Sequence, residues 1–265
     1  MSHPEVRVEF PRDACAVVRL DRPAAKNALT AAMRRELVRL FADELPARAR
    51  VVVLTGAGGA FCAGLDLQEL GAAADPRPLI VAEELDVARA MRAFDGPIIG
   101  AVDGAAVTGG FELALACDLL LASEAARFAD THARIGVLPA WGLSQELSRR
   151  IGPARAKQMS FTGNFIDAQR ALAWGLVNEV VPRDALMPAA LGLADDMLST
   201  EPQALRAYKR LIDDGARLAH GDALALEQAR AAAWAETLTA SALAQRRAGV
   251  IARGQDQQST LGRSS

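Results

Sequence analysis

Hydrophobic positions set the elements. Residues 6–10 alternate apolar and polar, and residues 16–20 form a nearly continuous apolar run. Together they predict a hairpin whose turn is Pro11-Arg12-Asp13. The period then lengthens. Thr30 stands as an N-cap before residues 31–45, where Met33, Leu37, Val38, Leu40 and Phe41 share one face of an amphipathic helix. Residues 51–55 and 98–102 are continuous apolar runs, as expected of buried strands. Asp66-Leu67-Gln68-Glu69 has the form of a capping box and predicts a short helix. Residues 76–95 read as mostly helical, 109–117 as a helix and 119–122 as a strand. Three helices follow over 142–150, 153–161 and 167–174, then a strand over 177–181. From about residue 185 the chain is alanine-rich and helical with no strand signal, and the polar tail 254–265 is expected to fray. Alternating strands and helices predict an α/β core over residues 1–184, with a helical region and polar tail over 185–265.

Composition narrows the function class. A charged fraction of 23% and a net charge of −2 are ordinary for a globular protein and offer no attraction to a nucleic acid. No apolar stretch approaches the roughly 20 residues of a membrane helix. Glu5, Arg7, Glu9, Arg12 and Asp13 interrupt any secretory core near the start. Cys15, Cys62 and Cys117 show neither a disulfide framework nor metal spacing, and His3, His132 and His220 are scattered. We therefore expect a reducing, cytoplasmic setting and no structural metal. The run Gly56-Ala57-Gly58-Gly59 lacks dinucleotide-binding spacing, so neither a flavin nor a nicotinamide cofactor is expected.

Candidate chemistry lies in two glycine-centred stretches, Ala60-Phe61-Cys62-Ala63-Gly64-Leu65-Asp66-Leu67 and Gly104-Ala105-Ala106-Val107-Thr108-Gly109-Gly110-Phe111-Glu112-Leu113. Each joins a strand-like run to a helix-like one and can aim a backbone N–H out of a turn. Two such groups meeting at one point would form an oxyanion hole. Glu112 is the ionisable residue among apolar neighbours just past the second turn. An acid there favours a helix N-terminus, but poor solvation also suits it to general-base work.

With Asp21-Arg22-Pro23-Ala24-Ala25-Lys26-Asn27-Ala28-Leu29, these stretches resemble the enoyl-CoA hydratase/isomerase (crotonase) superfamily. Phe161-Thr162-Gly163 and Ala171-Leu172-Ala173-Trp174-Gly175-Leu176-Val177 extend the resemblance to roughly residues 5–185. It implies a spiral of ββα units with a helical trimerisation region, assembled as a homotrimer or a dimer of trimers. The implied partner is an acyl-CoA thioester, with coenzyme A part of the substrate rather than a cofactor. By position, the resemblance makes the N–H groups of Leu65 and Gly109 the oxyanion donors and Glu112 the water-activating base. It puts Lys26, Ala28, Cys62, Ala63, Gly64 and Asp66 along the CoA moiety. The implied reaction is hydration of a trans-2-enoyl-CoA. Double-bond isomerisation, decarboxylation, thioester hydrolysis and non-catalytic acyl-CoA binding are the rival readings.

One position departs from the pattern. Four residues after Phe128, where the resemblance puts a second glutamate, this chain has His132 within Asp130-Thr131-His132-Ala133-Arg134. A histidine exchanges protons near neutral pH and can stand in as the second acid/base. The alternatives are a surface histidine, or Asp130 in its place. Trp141 follows Pro139-Ala140 and either narrows the acyl pocket or packs on the core. Arg22 and Lys26 are candidates for CoA phosphates or are solvated charges. Lys209, Arg246 and Arg247 read as solvated, and Cys62, Cys117 and Asp118 as structural. For Asp66, N-capping with Glu69 as its partner is the competing structural role.

Overall fold

Valine stands at positions 51, 52 and 53, so a strand there has two apolar faces and needs cover on both. The computed structural model, which describes residues 4–261, supplies that cover. Strands β1 (Val6–Arg12), β2 (Cys15–Leu20), β3 (Val51–Gly56), β4 (Ile98–Val102), β6 (Leu119–Ser123) and β9 (Glu179–Val181) form one sheet in the order β1-β2-β3-β4-β6-β9. Val52 and Leu54 join the core that holds Leu37 and Phe41. Val51 and Val53 join Leu186, Ala190 and Ala194 on the opposite face. Within this sheet, among the described residues, only the β1–β2 pair is antiparallel.

A smaller sheet, unseen in the sequence pattern, joins β5 (Ala105–Val107), β7 (Arg127–Ala129) and β8 (Ile166–Asp167) in the order β5-β7-β8. Cys62 extends it through a parallel bridge to Ala106. The topology therefore repeats. A strand enters the large sheet (β3, β4, β6), a short extended piece joins the small one (Cys62, β5, β7), and a helix follows (Leu67–Ala72, Gly109–Leu115, His132–Ile135). These are the ββα turns of the expected spiral.

Local chemistry adjusts several expectations. The hairpin turn is Asp13-Ala14, with Ala14 at φ 57°, and Pro11 stays in β1 beside an irregularity between Glu9 and Arg12. β1 is an edge strand, where proline's missing donor costs no ladder bond. Thr30 caps its helix by accepting from the Met33 N–H at 3.2 Å. That helix runs Ala31–Arg39, widens over Leu40–Glu44 and resumes over Leu45–Arg48. Pro46 cannot donate within the regular α ladder, and the wider turn precedes it. Asp66 caps Leu67–Ala72, but Glu69 does not reciprocate; its carboxylate accepts from the Ala31 N–H at 2.8 Å. Residues 254–261 belong to the helix Ala240–Leu261, and residues 262–265 lie outside the described residues.

Two compact units divide the chain, Met1–Lys209 and Arg210–Ser265. The first includes the helix Leu186–Leu198, whose apolar side covers one face of the large sheet. The second contains the helices His220–Ala235 and Ala240–Leu261, and within it Arg230 pairs with Asp214 at 2.6 Å.

Candidate active site

Two loops are stitched together before either can serve a ligand. Lys26 and Asn27 adopt positive φ (50° and 58°), which turns their chain toward residues 60–66. The Lys26 carbonyl accepts from the Ala63 N–H at 3.0 Å, and the Leu29 N–H donates to the Gly64 carbonyl at 2.7 Å. Buried Asn27 donates to the carbonyls of Ala57 and Ala60 and accepts from the Arg22 N–H. The Cys62 N–H donates to the Ala105 carbonyl, and the Cys62 carbonyl accepts from the Val107 N–H. A Cβ on Gly110 would lie 2.1 Å from the Cys62 carbonyl oxygen, so only glycine permits this approach.

This stitching brings Leu65 and Gly109 together. A Cβ on Gly109 would stand 3.5 Å from the Leu65 nitrogen, and a Cβ on Gly64 would stand 3.3 Å from the Gly109 nitrogen. Neither N–H is engaged by another group among the described residues. Gly109 opens the helix Gly109–Leu115, so its N–H also carries the positive end of the helix dipole. Thr108, just before it, sits at φ 52° and ψ −115°. That conformation costs a β-branched residue about 1–3 kcal/mol. Its N–H donates to the Ala129 carbonyl, and its hydroxyl is hydrogen-bonded to that of Thr131.

Glu112 is 4% exposed, one turn into the same helix. It does not fold back on its own N-terminus. Its Oε1 accepts from the N–H groups of Trp141 (2.8 Å) and Leu143 (3.3 Å). Oε2 lies 3.6 Å from His132 Nε2. The other ring nitrogen, Nδ1, is 2.7 Å from Asp130 Oδ1, which also accepts from the His132 backbone N–H. His132 is therefore buried between two carboxylates. Burial opposes its charge, but the hydrogen bond to Asp130 and the negative charges of Asp130 and Glu112 outweigh that and lift its pKa to about 9. For Asp130, burial pushes upward, but the bonds from His132 and Ser160 prevail and hold it below the usual carboxylate range.

One cavity of about 330 Å³ gathers these groups. Leu65, Gly109, Glu112 and His132 all line it, together with Ala63 and Trp141. Lys26, Ala28, Cys62, Gly64 and Asp66 are absent from its lining; they belong to the stitched strip beside it. Asp66 spends its carboxylate on the Gln68 and Glu69 N–H groups and on an ion pair with Arg22. Arg22, also paired with Glu5, is thus committed within the fold, whereas Lys26 is exposed. Cys62 is a packing residue whose thiol burial pushes up to about 12. Lys209, expected to be solvated, is instead mostly covered and paired with Asp118, which also accepts from the Ile98 N–H. Sequence reasoning missed the backbone donors of Trp141 and Leu143 and the Thr108–Thr131 link, because each depends on segments distant in the chain. Among the described residues no His/Cys/Asp/Glu cluster fits a metal ion, and no helix is long and apolar enough to cross a membrane.

Known proteins share both pattern and fold. The family model for enoyl-CoA hydratase/isomerase matches residues 11–245. An Arabidopsis thaliana protein named "Probable enoyl-CoA hydratase 1, peroxisomal" is 40% identical over 240 residues, 88% of this chain and 88% of its own length. The short-chain-enoyl-CoA hydratase of Clostridium acetobutylicum is 37% identical over 216 residues, 80% of this chain and 82% of that protein. A Thermobifida fusca YX protein solved in complex with CoA superposes with a TM-score of 0.81 at 28% identity, covering 88% of this chain and 93% of that one.

Proposed function

Because the chain belongs to the enoyl-CoA hydratase/isomerase family, the crotonase superfamily, we propose that it is a hydro-lyase adding water across the 2,3 double bond of a trans-2-enoyl-CoA. The observation that carries this reading is the single cavity in which Leu65, Gly109, Glu112 and His132 meet. The thioester oxygen accepts from the N–H groups of Leu65 and Gly109. That withdraws electrons from the conjugated system and leaves C3 open to attack. Glu112 Oε2 takes a proton from water as the oxygen bonds to C3, and negative charge collects on the thioester oxygen. A preorganised donor of this kind is typically worth about 3–4 kcal/mol of barrier. His132, held protonated, gives its Nε2 proton to C2 as the enolate collapses. The proton on Glu112 then returns to His132 across their 3.6 Å separation, so the site resets and the substrate has gained one water.

On this reading coenzyme A enters as part of the substrate and no separate cofactor takes part. The strip Lys26–Ala28 with Cys62–Asp66 flanks its pantetheine and adenine; the CoA complex of the Thermobifida protein supports a CoA ester as ligand. Assembly as a homotrimer or dimer of trimers through the helical region is part of the same proposal. The exposed Ile212, Leu224, Leu243 and Val250 support it. A reducing, cytoplasmic setting suits the free, buried Cys15, Cys62 and Cys117, although the Arabidopsis relative is named as peroxisomal. The test is incubation with 2-enoyl- and 3-enoyl-CoA thioesters, followed by mass spectrometry. Gain of one water by the 2-enoyl substrates supports hydration. Conversion of 3-enoyl to 2-enoyl esters without hydration overturns it in favour of isomerisation.

A further inference from the structure

Asp130 sits outside the cavity lining yet touches the residue that would deliver a proton. Its side chain is only 4% exposed. One oxygen, Oδ1, receives both the backbone N–H of His132 at 3.2 Å and its ring Nδ1 at 2.7 Å. This double grip on one residue fixes backbone and ring together. With Nδ1 occupied, Nε2 is the ring edge left to face the cavity, and it stands 3.6 Å from Glu112 Oε2.

We propose that Asp130 is a positioning residue for the reaction, holding His132 by Nδ1 so that a protonated Nε2 is presented to the substrate carbon beside Glu112. The proposal rests on the hydratase reading of the site. It divides the labour between the two groups that flank the cavity. His132, between carboxylates, is the acid; Glu112, with Oε1 tied to Trp141 and Leu143, works through Oε2 as the base.

The surroundings favour this assignment. The charged groups facing the imidazole are Asp130, from the loop before the helix His132–Ile135, and Glu112, from the helix Gly109–Leu115. The helix Pro153–Thr162, packed on the same short helix, presents Ser160 to the Asp130 carboxylate. Arg134 turns its Nε to the Thr162 carbonyl at 2.7 Å. Burial alone would leave the ring neutral at neutral pH and, with its one proton on Nδ1, nothing to give from Nε2; with both carboxylates present it stays charged up to about 9. An aspartate bonded to a histidine's Nδ1 fixes tautomer and orientation and stabilises the imidazolium.

The test uses the full chain with isotope-labelled histidine, whose only other ring signals come from His3 and His220. H132Q identifies the resonance. In the wild type, His132 is expected to titrate near 9 with Nδ1 hydrogen-bonded. In D130N it should titrate lower by about one pH unit or more, the scale of losing one charged partner. With a trans-2-enoyl-CoA, D130N should lower kcat by ~10²-fold or more with KM nearly unchanged, and the alkaline limb should move to lower pH. An unshifted titration and an unmoved limb in D130N overturn the proposal. If D130N does not fold, the wild-type spectrum decides: a ring neutral at neutral pH overturns it, and one doubly protonated there supports it. The titration requires no turnover. Failure of the hydratase reading appears separately, as a wild-type enzyme that adds no water.

Discussion

Glu112 and Trp141 are joined through the carboxylate itself: Oε1 accepts from the Trp141 N–H at 2.8 Å, which leaves Oε2 to face the cavity. One residue thus anchors a loop and supplies the proposed base. Glutamine keeps an acceptor oxygen for Trp141 and Leu143 but removes the basic one. E112Q should therefore fold with near-normal thermal stability and bind acyl-CoA, while turnover falls by ~10²–10⁴. E112A strips both N–H groups of their acceptor and should lose about 1–3 kcal/mol for each buried group left unpaired. Parallel melting curves and steady-state kinetics separate the two effects. Wild-type turnover in E112Q would remove Glu112 from the mechanism.

His132 ties stability to pH. Its folded pKa, about 9, lies above the ordinary value of 6.5 that it regains on unfolding. A group raised in this way stabilises the fold fully below its unfolded pKa, and the contribution fades as pH rises through the folded one. The wild type should therefore lose Tm relative to H132Q between about pH 6.5 and pH 9, with the difference flat below that window. Paired calorimetric scans across this range check it; parallel curves for the two proteins would show that His132 is not held charged in the fold.

Two adjacent glycines should respond in opposite ways. A Cβ on Gly110 would meet the Cys62 carbonyl at 2.1 Å, so G110A must push two backbones apart and should fold poorly. A Cβ on Gly109 meets nothing nearer than 3.5 Å, but that neighbour is the Leu65 nitrogen. G109A should keep its fold while its methyl crowds the oxygen site, costing ~10²–10³ in kcat, the scale of losing an oxyanion donor. Circular dichroism beside kinetics distinguishes them. A fully active G109A would mean the thioester oxygen binds elsewhere.

Trp141 lines the cavity. Its ring is buried, with the Arg34 guanidinium 6.0 Å from its centre, and its carbonyl accepts from Arg92 at 3.1 Å. Burial and the Arg34 guanidinium hold the indole, while the Arg92 bond fixes the backbone that carries it. W141A should move the kcat/KM optimum toward longer acyl chains by about 10-fold or more per added methylene accommodated, in line with hydrophobic-pocket selectivity. A panel of enoyl-CoA chain lengths gives the profile, and an unchanged ranking would leave Trp141 as a core residue alone.

The linear chain determined much of this protein. The three consecutive valines of 51–53, the apolar run of 98–102 and the Thr30 cap specify strands and a helix, because periodicity and capping act over neighbouring residues. The spacing of Gly64-Leu65 and Gly109-Gly110 pointed to two loops able to share one oxygen. The tertiary structure decided which groups meet. Strands β5, β7 and β8, of three, three and two residues, are too short to leave a periodic signal, yet they bring Cys62 beside Ala106 and so Leu65 beside Gly109. His132, read equally well as a surface residue, is buried between two carboxylates because Glu112, twenty residues earlier, and its neighbour Asp130 close on it from both sides. A proton's affinity depends on desolvation and on charges within a few ångströms, and both are properties of the folded chain.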